Sequence, residues 1–109
     1  MNEKIMIIER VLPQRSFSYN DTRTGQPQQV AVQPLLLKGM GDTLHAEATG
    51  ELALAFQREG LSEGCVLSLN LGFTAREWKT QQGDPRWENR CMVLGWTLLK
   101  RPQAQPQVF

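Results

Sequence analysis

The 109-residue sequence lacks nearly every signature that marks an enzyme. It holds one histidine, so a nucleophile–histidine–acid triad would have to be built on His45. No motif marks Cys65, Cys91 or any serine as its partner. There is no P-loop, no Rossmann glycine fingerprint, no H-E-x-x-H and no G-x-S-x-G elbow. These absences predict a non-catalytic protein with no cofactor and no small-molecule substrate.

Long hydrophobic runs are missing too. A membrane helix needs roughly 20 apolar residues, and Ile5–Ile8 is too short even for a signal peptide, with Glu9 following directly. The expectation is a cytoplasmic protein that keeps off membranes. The two cysteines lie far apart without a C-x-x-C motif, which predicts reduced thiols in or near the core. A zinc site of both with His45 lacks the paired spacing such sites show. Charge of one sign is also scarce: 12 Lys+Arg against 11 Asp+Glu leave +1. A duplex-DNA binder is usually more basic, so any phosphate contact must come from a local patch.

What remains is an ordinary globular balance, 40% hydrophobic and 21% charged, in a chain long enough for one core without staples. The expectation is one domain over residues 1–100 and a Pro/Gln-rich disordered tail over 101–109. Glu3–Leu12 is rich in β-branched and long apolar residues and predicts a strand, ended by Pro13. Arg15–Tyr19 alternates again and continues it past a bend. Asn20–Pro27 is a loop of turn formers. Gln28–Lys38 predicts a second strand, with Pro34 marking an edge or a bulge. Gly39–Asp42 turns into a third strand, Thr43–Thr49.

Glu51–Glu59 is the one helix, capped by Thr49, closed by Gly60, with Leu52, Ala55 and Phe56 on one face. In Cys65–Trp78, Leu67, Leu69, Leu71, Phe73 and Ala75 alternate with polar or small residues and predict an inward face. Lys79–Pro85 is a loop, and Trp87–Lys100 the last strand. In it Trp96 follows Met92 and Leu94 at period two and is assigned to the core. Three strands, a short helix and two strands predict a mainly all-β fold. The best match is a five-stranded Greek-key OB-fold barrel with the helix between strands three and four.

The segment Glu63–Lys100 resembles the last two strands of small bacterial proteins similar to single-stranded-DNA-binding protein; the nearest group is functionally uncharacterised. The shared pattern is an R-E-W strand end, a Gly-containing hairpin, an aromatic and an Asn, here Arg76, Glu77, Trp78, Gly83, Trp87 and Asn89. The first half matches in layout only. The resemblance implies an OB fold, a homodimer or homotetramer, and binding of single-stranded DNA, with RNA the other candidate. That family ends in an acidic tail with a terminal Pro-Phe. Here RPQAQPQVF has no acidic residue and Val108 precedes Phe109.

Single-strand binding needs cations along the phosphates and flat side chains on the bases. Two clusters supply them: Arg15, Phe17, Tyr19 and Arg23 around the first loop, and Arg76, Trp78, Lys79, Arg86, Trp87 and Arg90 around the last. In an OB barrel these loops flank one groove, so the clusters should converge. Strand parity puts Arg76 and Trp78 outward. Competing readings stand beside these. Trp78 and Trp87 could be a cross-strand aromatic pair. The hairpin cations, interleaved with Glu77, Asp84 and Glu88, could be a salt-bridged surface. Phe17 and Tyr19 could be a subunit contact, and His45 is read as structural. The alternative function is an OB-fold assembly subunit that binds no nucleic acid. A third is an oligosaccharide binder with Trp78 and Trp87 stacked on sugar rings.

Overall fold

Leu67, Leu69 and Leu71 alternate with Ser68 and Asn70, and burying the three leucines defines the inside of the molecule. A computed structural model describes residues 3–102, so the tail expected over 101–109 lies, beyond Arg101 and Pro102, outside the described residues. Its elements are β1 (Glu3–Val11), β2 (Arg15–Asn20), β3 (Pro27–Lys38), β4 (Thr43–Thr49), α1 (Glu51–Arg58), β5 (Val66–Lys79) and β6 (Pro85–Lys100). The fold is mostly β with one short helix.

The six strands form one sheet in the order β1-β5-β6-β4-β3-β2, and a further β1–β3 pairing closes it into a barrel-like ring. All ladders are antiparallel except β4–β6, which is parallel and consists of the single pair Glu47–Met92. Met6, Ile8, Leu35, Leu37, Leu67, Leu69 and Leu71 fill the ring, with Phe56 and Leu61 added at the helix end.

Five strands were expected and six are found, because the first divides at residues 12–14. Pro13 lies in the break, as expected, and a second cause lies across the sheet. β3 pairs with β2 up to Val32 and with β1 from Leu35, so it changes partner around Gln33 and Pro34. Leu12 N–H donates to Pro34 O at 3.1 Å. Proline has no N–H to return the bond to Leu12. The buried side chain of Gln33 replaces it: Nε2 donates to Leu12 O at 2.7 Å and to Pro34 O at 2.9 Å. Pro34 is therefore neither at an edge nor in a bulge; it is buried and paired with Glu47 on its other side. Gln33→Leu should lower stability by about 1–2 kcal/mol, toward the lower end of the cost of an unsatisfied carbonyl because Leu12 is only half-buried. A urea midpoint equal to wild type would refute this role.

The helix starts differently from expectation. Gly50, not Thr49, is the N-cap, at φ 61°, with no side-chain cap bond. Its N–H donates to Ala31 O at 2.8 Å, which ties the helix start to β3. The end is as expected: Gly60 at φ 62° carries a Schellman closure, with Gly60 N–H to Gln57 O and Leu61 N–H to Phe56 O. Arg101 adds guanidinium bonds to Glu59 O at 2.8 Å and Gly60 O at 3.3 Å. Ala53 and Phe56 are the buried positions, with Leu52 packed at the margin, so Ala53 rather than Ala55 centres the inner face.

Trp96 does pack against the core, edge-on to Phe56 at 6.0 Å and 77°, with Nε1–H donating to Glu59 Oε2 at 2.6 Å. The route there differs from simple alternation. Asn70 pairs with Gly95 but Leu71 with Val93, so Leu94 is an extra residue on β6. This bulge flips parity: Cys91 and Val93 face inward before it, Trp96 and Leu98 after it, and Leu94 itself is exposed.

Candidate nucleic-acid interface

Beyond Leu71 the β5–β6 hairpin leaves the barrel, and every residue of Phe73–Lys79 and Pro85–Asn89 is exposed. Phe73 and Ala75, expected inside, keep inward parity but have no core to enter; Phe73 is 52% exposed. The tip is a turn in which Gly83 N–H donates to Thr80 O at 2.9 Å. Gly83 sits at φ 85°, a region that favours glycine. Asp84 N–H bonds Thr80 Oγ1 at 3.1 Å.

This turn fixes the register, and register fixes the faces, because directly paired residues project to one side. Thr74–Arg90, Arg76–Glu88 and Trp78–Arg86 form the outer face. Phe73–Cys91, Ala75–Asn89, Glu77–Trp87 and Lys79–Pro85 form the face continuous with the barrel interior. Arg76 and Trp78 thus lie outward, as parity predicted. Trp78 and Trp87 fall on opposite faces, which overturns the aromatic-pair reading. Trp78 is 47% exposed and Trp87 64%.

The first cluster lies on a second arm, β2–β3. Arg15, Phe17 and Tyr19 pair with Val32, Val30 and Gln28 and share its outer face. Phe17 and Tyr19 are exposed. Arg23 is in the loop, its N–H bonded to Asp21 Oδ1 at 2.8 Å.

The two clusters meet only at their roots. Arg15 and Arg90 both bind Glu47 of β4, Arg90 Nη2 at 2.9 Å from Oε1 and Arg15 on Oε2. The carboxylate is buried while the guanidinium side chains stay 54% and 37% exposed. Further out, no backbone contact joins β2 to β5 or β6 among the described residues. Sequence reasoning missed Glu47. In TLHAEAT it looks like any outward polar residue; its burial comes from arginines contributed by two distant strands.

Arg76, Lys79 and Arg86 form no ion pair with Glu77, Asp84 or Glu88 among the described residues. Of the four hairpin cations only Arg90 is ion-paired among the described residues, and its partner is Glu47 rather than a hairpin acid. Arg23, Arg76 and Arg86 are uncommitted cations, Arg86 with only a 3.2 Å bond to Pro85 O. Lys79 and Trp87 are on the other face.

Below the Glu47–Met92 pair β4 and β6 separate. An open cleft of about 510 Å³ lies between Leu44 and His45 on one wall and Asn89, Arg90 and Cys91 on the other, with Phe73 across it. Cys65 and Cys91 are both free and buried. Burial pushes the Cys91 thiol up from its ordinary value. The unfolded thiol ionises first on raising pH. The stability linked to Cys91 is thus complete below the ordinary thiol value and falls as pH rises through the elevated one. Cys91 should stay unalkylated by iodoacetamide at neutral pH and react on unfolding; rapid native-state alkylation would contradict its burial.

Among the described residues no helix is long and apolar enough to cross a membrane. No family model matches the chain, and no curated protein matches it.

Proposed function

We propose that the chain is a non-catalytic OB-fold protein that binds single-stranded nucleic acid, DNA first, across its outer face. Strand connectivity supports the fold reading. If β1 and β2 count as one interrupted strand, the ring runs one-two-three-five-four-one with the helix between three and four, the order that reading requires. The observation that carries the function is the outer face of β5–β6. It presents Trp78 beside Arg76 and Arg86, exposed and, among the described residues, without an ion pair. Arg15, Phe17 and Tyr19 extend the track across β2, and Arg23 sits at that arm's tip. Lys79 and Trp87 are left out of this contact surface.

Three uncommitted cations set the scale. At about 0.7 counterions released per phosphate on a single strand, the log–log salt slope should be about −2. Mobility-shift titrations of oligo-dT, a ribo-oligomer and duplex DNA test the reading. The single strands should bind and the duplex bind weakly; equal affinity for duplex, or none for any, would refute it.

One observation favours the alternative assembly role. Ile5, Ile7, Leu94 and Leu99 are exposed on β1 and β6, a surface that a homodimer or homotetramer would cover. Sedimentation separates the cases: self-association without oligonucleotide affinity supports assembly alone.

A further inference from the structure

The seam between β4 and β6 is the least finished part of the sheet. A parallel ladder that began at Glu47–Met92 would continue back to pair His45 with Arg90. It does not: among the described residues Glu47–Met92 is the one β4–β6 pair, and the two facing strand edges run on from it without a ladder. Unpaired backbone donors and acceptors on both walls of a cleft offer a ready hydrogen-bonding edge.

The rest of the cleft has a different chemistry. Leu44, Phe73 and Ala75 contribute apolar groups to its lining, and His45 and Asn89 polar ones. Phe73 is a large ring left half-exposed beside a cavity, with no aromatic partner among the described residues. Apolar walls around a few convergent polar groups make a small-ligand site. A flat heteroaromatic ring with a donor–acceptor edge fits both halves: its face on Phe73, its edge on Asn89 and the open strand edges. A smaller pocket lined by Arg15, Glu47 and Glu88 shares His45, Asn89, Arg90 and Cys91 with this cleft, and its Arg15, Glu88 and Arg90 belong to the outer face where the proposed strand would run.

We propose that this cleft takes a single unstacked nucleobase from the bound strand, with Phe73 as its platform and Asn89 reading its edge. The inference rests on the nucleic-acid reading of the outer face. It gives the protein something the arginine track lacks, a preference at one nucleotide position.

The test compares oligo-dT with the same oligomer carrying one abasic site, moved stepwise along its length. Positions stacked on the outer-face rings should cost affinity in wild type and in both cleft variants alike, and one further position, the base in the cleft, should cost about tenfold, in line with one stacking contact. Phe73→Leu and Asn89→Ala should each abolish the cleft penalty alone, leaving the penalty at Trp78 and the wild-type salt slope. Asn89 is exposed, so its variant keeps the test valid if Phe73→Leu fails to fold. Arg86→Ala should do the reverse, flattening the slope and keeping the penalty. A uniform cost at every abasic position, or a pattern of penalties unchanged in both cleft variants, overturns the pocket and leaves the outer-face reading standing. Failure of any oligomer to bind overturns the outer-face reading itself.

Discussion

Trp78→Ala should weaken oligonucleotide binding by about 1–3 kcal/mol, roughly 5- to 150-fold, and leave thermal unfolding unchanged. The two halves of that result come from one fact. Trp78 lies opposite Arg86 on the outer face of a hairpin that has left the barrel, half-exposed and without an aromatic neighbour among the described residues. Little apolar packing is lost on truncation, so stability should hold. A base stack has no substitute nearby on that face, so affinity should not hold. Trp87→Ala should leave affinity close to wild type, since its side chain projects to the other side with Glu77. A Trp78→Ala protein that melts early and binds normally would put Trp78 in a structural role.

Glu47→Gln should move stability and affinity in opposite directions. The buried carboxylate accepts from both Arg15 and Arg90. Loss of its charge weakens two charge-assisted bonds, nominally about 1.5–3 kcal/mol each. The arginine side chains remain 54% and 37% exposed, so water screens much of that loss. A net destabilisation of about 1–2 kcal/mol is expected. At the same time two outer-face guanidiniums are released for phosphate. The salt slope should steepen from about −2 to about −3.5, and affinity at low salt should rise. A stability loss with an unchanged slope would remove Arg15 and Arg90 from the interface and leave them purely structural.

Local pattern made much of the architecture readable. The alternation of Leu67, Leu69 and Leu71 needs no partner to be recognised, and the helix over Glu51–Arg58 ends where Gly60 says it should. What escaped was set by residues far away in the chain. The break after Val11 was legible from Pro13, but its counterpart across the sheet was not: Pro34 cannot return Leu12's hydrogen bond. Phe73 has the same parity as Leu71; only the height of the barrel puts one in the core and the other in solvent. The bulge at Leu94 flips the parity of β6, so Trp96 packs inward although the count from Met92 and Leu94 does not lead there. For the site, residue types were legible and faces only partly so. Trp78 and Trp87 flank one turn, and a one-residue change of register exchanges which face each occupies. Glu47 was invisible because nothing adjacent to it signals the two arginines that cover it.

The central claim is that the outer face of β5–β6, at Trp78, receives a single strand. Tryptophan fluorescence during oligo-dT titration at low salt tests it directly, using wild type, Trp78→Phe and Trp87→Phe. Wild type and Trp87→Phe should be quenched on saturation, and Trp78→Phe should lose most of the quench. Undiminished quenching in Trp78→Phe, or neither quenching nor a mobility change in wild type, would contradict the account.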